Sequence, residues 1–184
     1  MKKPRYYWAY GSNLNVAAMR RRCPGAIKRG QLILPQATLV FRGVADVEYH
    51  DDDVVYGGLW EITRKDEDAL DLYEGVRKDQ RGRAIDGGLY EKRYMIIRFK
   101  GSPETHRVLF YQMTRTDGVM PPSGYYINVI AEGYQDFGLP LEALDKALRA
   151  SWNNKETNDW LRARHARRGG GKLAREIITE TNEV

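Results

Sequence analysis

The sequence predicts an α+β domain built on a mostly antiparallel or mixed sheet. Three observations carry that expectation. Strand-like and helix-like periods both occur, but in neither a βαβαβ alternation nor an all-strand pattern. Two alternating runs, 90–99 and 106–113, flank Gly101-Ser102-Pro103, which is the pattern of a hairpin. The chain has 184 residues, 42% hydrophobic and 30% charged, enough for one domain to bury a core without disulfides.

Residues 6–10 (YYWAY) read as a short aromatic strand, followed by the turn Gly11-Ser12-Asn13. Residues 14–22 read as a helix with Asn13 as its N-cap, ended by Pro24-Gly25. Residues 31–42 and 44–49 read as strands, with a break or bend at Pro35. His50-Asp51-Asp52-Asp53 reads as a turn before a strand at 54–62, where Gly57-Gly58 signals a bulge or a close backbone approach. Thr63 and Asp66 have capping-box spacing and open a helix that runs to Glu74, with Gly75 as its C-cap. Residues 77–88 are polar and rich in Arg and Gly, so a loop is expected. Pro121-Pro122-Ser123 opens a helix with Tyr126, Val129, Ile130, Gly133, Tyr134 and Phe137 on one side, closed by Gly138. Pro140 begins another helix, with Leu141, Leu144 and Leu148 on one face. The expected organisation is a folded domain over 1–150 and a basic tail over 151–184, partly helical or flexible, with a short helix near 157–167.

Composition excludes several classes. No apolar run reaches the length of a membrane-spanning helix, and the start MKKPRYYWAYGSN lacks the apolar stretch of a signal peptide. A cytoplasmic protein with no membrane partner is expected. One cysteine, Cys23, permits no internal disulfide, and three scattered histidines give no zinc pattern. Residues 1–45 hold nine Lys or Arg and no Asp or Glu, so the N-terminal third is basic and would attract an anion. No readable nucleic-acid motif accompanies that charge, so nucleic acid is not the expected partner. The oligomeric state is left open.

Three places could carry chemistry. Tyr10-Gly11-Ser12-Asn13-Leu14 joins a strand to a helix, where free N–H groups and a glycine suit a carboxylate; an ordinary connection would look the same. Glu74 ends a helix, where the dipole disfavours its charge. Burial beside Leu70, Tyr73 and Tyr90 would raise its pKa further and suit it to move a proton near neutral pH; an exposed glutamate is the alternative. Tyr90, Tyr111, Tyr125, Tyr126 and Tyr134 offer hydroxyls to a polar ligand, or simply pack. His50 with Asp51–Asp53 imitates a metal cluster, but four consecutive residues do not readily face one ion. Ser12 and Cys23 have no histidine near them in sequence.

Several of these segments together resemble the γ-glutamylcyclotransferase family. Ala9-Tyr10-Gly11-Ser12-Asn13-Leu14 is similar to its signature, and VYGGLWEI at 55–62 with ALDLYEGV at 69–76 to its second block. PPSGYY at 121–126 and Gly138-Leu139-Pro140-Leu141 are similar to its C-terminal block, in the right order over residues 6–149. The resemblance implies a small mixed β-barrel flanked by helices, a cavity at one end, and no metal or cofactor. It implies a reaction in which the α-amine of a γ-glutamyl amide attacks its own γ-carbonyl, giving 5-oxoproline and a free amine or amino acid. It implies Glu74 as the catalytic acid/base. The Gly11–Leu14 turn would hold substrate, and Tyr10, Tyr90, Tyr111 and Tyr126 would line its pocket.

The chain departs from the family in three ways. The stretch between Val76 and Tyr90 is longer than usual and carries Arg77, Lys78, Arg81 and Arg83, so it could cover the pocket. Tyr134 stands where the family has alanine. The tail has no family role to carry over. Two other readings stay open: the same chemistry on an isopeptide or larger γ-glutamyl adduct, or a basic binding module without turnover.

Overall fold

A computed structural model describes residues 4–115 and 118–153. The aromatic strand β1 (Arg5–Ala9) sits in the middle of a five-stranded sheet. Its residues from Tyr6 to Ala9 are all buried, so both faces are covered. A 3₁₀ turn (Ser12–Leu14) leads into α1 (Val16–Arg22), then β2 (Ile27–Phe41), β3 (Ala45–Ile62) and α2 (Arg64–Tyr73). After the long loop come β4 (Tyr90–Arg98), β5 (Thr105–Met113), α3 (Gly124–Phe137) and α4 (Leu141–Asn153).

The strand order is β2-β3-β1-β5-β4. Only β1–β5 is parallel; the other pairs are antiparallel, so the sheet is mixed. It is not the closed barrel that the family resemblance implies, because β2 and β4 are its two edges and do not pair. The β2 side is taken instead by helices. α4 packs on β2, and Gln31 donates to the carbonyls of Phe137 and Gly138 at 2.9 and 2.8 Å. Those carbonyls end α3 and would otherwise lack donors.

Two local expectations change, and a third resolves to one of its alternatives. Asn15, not Asn13, caps α1, its side chain accepting from Ala18 N–H at 2.9 Å. His50–Asp53 does not reverse the chain. Those four residues stand opposite the single Gln36 as a large bulge within β3, and Gln36 takes the left-handed φ of 54°. The reversal comes earlier, at Gly43, whose φ is 81°. Gly57 and Gly58 mark a close approach. A Cβ on Gly57 would lie 2.2 Å from Trp8 Nε1, and one on Gly58 2.5 Å from the Phe137 ring. The other register irregularity is the extra residue Arg29 on β2, between Lys28 and Gly30, so neither falls at Gly57-Gly58.

Other elements form where expected. The Thr63–Asp66 capping box is complete, Gly75 follows α2 with φ 66°, and Gly138 closes α3 with φ 64°. Buried Asp66 also accepts from Gly25 N–H at 3.2 Å, tying α2 to the exit of α1. Trp8, Trp60, Phe41, Leu14, Met19, Leu70 and Ile130 fill the core. α4 runs past residue 150 to Asn153, with Ser151 buried. The tail from 154, including the helix expected near 157–167, lies outside the described residues. Among the described residues no helix is long and apolar enough to cross a membrane.

Candidate active site

The signature turn and the end of α2 meet over the C-terminal end of β1. Together they enclose a small cavity of about 30 Å³, room for a water or two. Tyr7, Tyr10, Gly11, Ser12 and Asn13 line one side. Ala45, Glu74, Tyr90, Tyr111 and Tyr126 complete it.

Packing explains why the turn sits there. A Cβ on Gly133 of α3 would fall 2.5 Å from Leu14 Cβ and 2.7 Å from Asn15 N. The glycine lets α3 press directly on the turn. Leu14 is fully buried and faces this contact rather than the cavity.

Glu74 is half-buried, with Oε1 accepting from Asn13 Nδ2 at 2.7 Å. The same amide group donates to the Tyr7 hydroxyl at 2.9 Å. Asn13 Oδ1 accepts from the Arg22 guanidinium at the end of α1. An arginine can only donate, so this contact fixes which way the Asn13 amide faces. Capping by Asn15 leaves Asn13 free for this role.

The Glu74 pKa is pushed up to about 7, chiefly by burial, against the opposing effects of the Arg22 charge and the Asn13 hydrogen bond. A carboxyl poised near neutrality can both accept and return a proton.

Tyr126 is arranged as a donor. Its hydroxyl oxygen accepts from Ala45 N–H at 3.1 Å and from the Ser12 backbone. Among the described residues its own proton has no acceptor. A Cβ on Gly11 would come within 3.1 Å of that hydroxyl, so the turn approaches Tyr126 closely. Within the turn, Leu14 N–H donates to the Gly11 carbonyl at 3.0 Å. The N–H groups of Gly11 and Asn13 are not engaged by these bonds.

The remaining tyrosines of the cavity are tied to the frame. Tyr10 donates to the Tyr111 carbonyl, and Tyr90 to the Ala45 carbonyl at 2.8 Å. Tyr111 donates to buried Asp71 at 2.7 Å, and Lys92 and Lys78 each reach Asp71 at 2.8 Å. Their rings shape the wall while their hydroxyls hold it. Tyr134 is buried in the core and Tyr125 is exposed; neither lines the cavity.

None of residues 77–88 lines the cavity either. That loop closes on itself: Asp79 accepts from the Arg81 and Arg83 N–H groups at 2.9 Å and pairs with the Arg83 guanidinium. Lys78 tethers it to α2.

Cys23 is buried, its thiol pushed up to about 12 by burial first, which makes it a poor nucleophile. Asp53, from the acidic bulge, bonds Thr38 and Lys146, each at 2.9 Å. Among the described residues no cluster of His, Cys, Asp or Glu is arranged to hold a metal ion.

Sequence reasoning missed Tyr7, Ala45 and Arg22. Tyr7 was concealed in a uniformly aromatic strand, where no period distinguishes the residue facing the site. Ala45 contributes mainly its backbone, which no side-chain pattern reveals. Arg22 stands among three consecutive arginines, and only the end of α1 decides which one turns inward.

The family model of the AIG2-like family matches residues 54–146. The gamma-glutamylcyclotransferase of Bos taurus is 30% identical over 183 residues, covering 93% of this chain and 84% of the relative. That of Homo sapiens is 27% identical with the same coverage of both chains. Among solved structures, an uncharacterized human protein, loc79017, superposes with a TM-score of 0.64 at 25% identity, over 79% of this chain and 87% of the other. A gamma-glutamyl cyclotransferase gives a TM-score of 0.64 at 22% identity, over 97% and 99%, a likeness of fold.

Proposed function

This chain belongs to the AIG2-like, γ-glutamylcyclotransferase family, and we propose that it cyclises γ-glutamyl amides with Glu74 as the proton carrier. The observation that carries the reading is the Glu74 carboxyl, held at the cavity by the signature residue Asn13 with its pKa raised to about 7.

The reaction joins two groups of one molecule into a five-membered ring. Folding the substrate and moving protons are therefore the main demands. The substrate enters with an α-ammonium. Glu74, as carboxylate, takes one proton from it. The freed amine attacks the γ-carbonyl carbon, a C–N bond forms, and the carbonyl oxygen becomes an oxyanion. The Tyr126 O–H and the Gly11 and Asn13 N–H groups are the donors available to that oxygen and to the α-carboxylate. Glu74 then gives its proton to the leaving nitrogen as the amide C–N bond breaks. The new ring nitrogen loses its extra proton to the carboxylate or to water. The released amine takes one up at neutral pH. Products are 5-oxoproline and an amine or amino acid, and no step needs an oxidant or a cofactor.

Residues 1–150, with α4 completed to Asn153, are the catalytic unit in this reading. Mass spectrometry of reactions with γ-glutamyl amino acids, γ-glutamyl amines, a γ-glutamyl-lysine isopeptide and glutathione tests it. Release of 5-oxoproline from at least one class is expected. No release from any class, by protein shown to be folded, would overturn it.

A further inference from the structure

This inference rests on the cyclotransferase reading and concerns the rim of the same site. α1 ends in Arg20, Arg21 and Arg22. The first two are exposed, whereas Arg22 is half-buried. Its guanidinium lies over the Tyr73 ring, 3.3 Å from the centroid, and donates to Asn13 Oδ1. The Tyr73 hydroxyl is 3.4 Å from Ser12 Oγ, so the stacked pair borders the cavity at the signature turn. Among the described residues Arg22 makes no salt bridge, while half-buried Lys92 and Arg42 each make two. A partly desolvated guanidinium with one donor engaged and a planar face held on an aromatic ring keeps a free edge suited to a carboxylate.

The cavity has room for only a water or two, so the departing group stays outside it, at the rim. Glu74 must face the departing nitrogen to return its proton. Asn13 bridges Arg22 and Glu74, and the Arg22 charge favours the charged form of Glu74. We propose that Arg22, stacked on Tyr73, is the specificity-determining residue that receives the carboxylate of a departing amino acid. Arg22 also orients Asn13, and that second role touches every substrate equally. The two roles therefore separate in kinetics. The α-carboxylate of the γ-glutamyl group is the other carboxylate Arg22 could meet, and it too is present in every substrate.

The test compares γ-glutamyl-alanine with γ-glutamyl-ethylamine, whose leaving groups differ by one carboxylate, on the full chain and on Arg22→Gln and Arg22→Lys. Gln keeps a donor for Asn13 but no charge; Lys keeps the charge but not the fork. For γ-glutamyl-alanine, Arg22→Gln should raise KM about tenfold or more relative to the ethylamine substrate. Arg22→Lys should fall between. Any kcat loss from a slackened Asn13 should be shared by both substrates. Equal KM changes on the two substrates, or none, would overturn the proposal while leaving the cyclotransferase reading intact. Wild-type protein that released 5-oxoproline from neither substrate would overturn this proposal, and silence across the isopeptide and glutathione as well would overturn the cyclotransferase reading. Thermal melts of both variants check that they fold.

Discussion

At the scale of single residues, Glu74 makes the sharpest demands on experiment. In the proposed mechanism its raised pKa means that the free enzyme gains its base as pH rises through about 7. The acid limb of kcat/KM should therefore have its midpoint near there. The Asn13 hydrogen bond lowers that pKa, so Asn13→Ala should move the limb to higher pH and reduce turnover. A limb that moved down would contradict the assigned geometry. The same shift bears on stability. The folded state holds the Glu74 proton more tightly than the unfolded chain. Its contribution is full below the ordinary glutamate value and is lost as pH rises through about 7. Glu74→Gln should remove that loss, at most about 3 kcal/mol, and melt higher than wild type at pH 8. Tyr126→Phe should lower kcat by about 10²-fold with a smaller change in KM, the signature of losing an oxyanion donor. Glu74 and the signature turn were legible in the sequence. The partner that fixes Asn13 was not, because Arg22 comes into place only through the exit angle of α1.

The elements set that geometry through close contacts. α3 can rest on the signature turn because residue 133 has no Cβ. Gly133→Ala should cost about 1–3 kcal/mol by overpacking and reduce turnover by shifting Asn13. A thermal melt and a rate assay check both effects. A variant as active and stable as wild type would show that the turn is positioned otherwise. The caps of α2 and α3, the apolar face of α3 and the β4–β5 hairpin were legible because their signals are local. The acidic stretch 50–53 was misread as a turn because Asp-rich segments favour turns. The strand continues through it because Gln36 and Lys146 accommodate the bulge from outside the segment. The capping asparagine was misplaced by two residues because Ser12–Leu14 forms a 3₁₀ turn of its own before α1.

For the whole molecule, the open sheet explains where the site lies. β1 is central, and its end delivers the signature turn to a place that α2, β4, β5 and α3 all reach. Closure into a barrel was not legible, because whether edge strands pair depends on what covers them. Here α4 and the end of α3 occupy the β2 side. Ending the chain after Asn153 keeps α4 whole and should preserve turnover of small γ-glutamyl substrates. Inactivity of that folded truncation would assign residues 154–184 a part in the site.

The central claim is that Glu74 carries the proton in γ-glutamyl cyclisation. Its most direct measurement is the rate of 5-oxoproline formation by wild type and Glu74→Gln, alongside 5-oxoproline binding to each by calorimetry. The account predicts at least a ~10²-fold lower rate in the variant with binding retained. A Glu74→Gln protein that binds and turns over near the wild-type rate would contradict it.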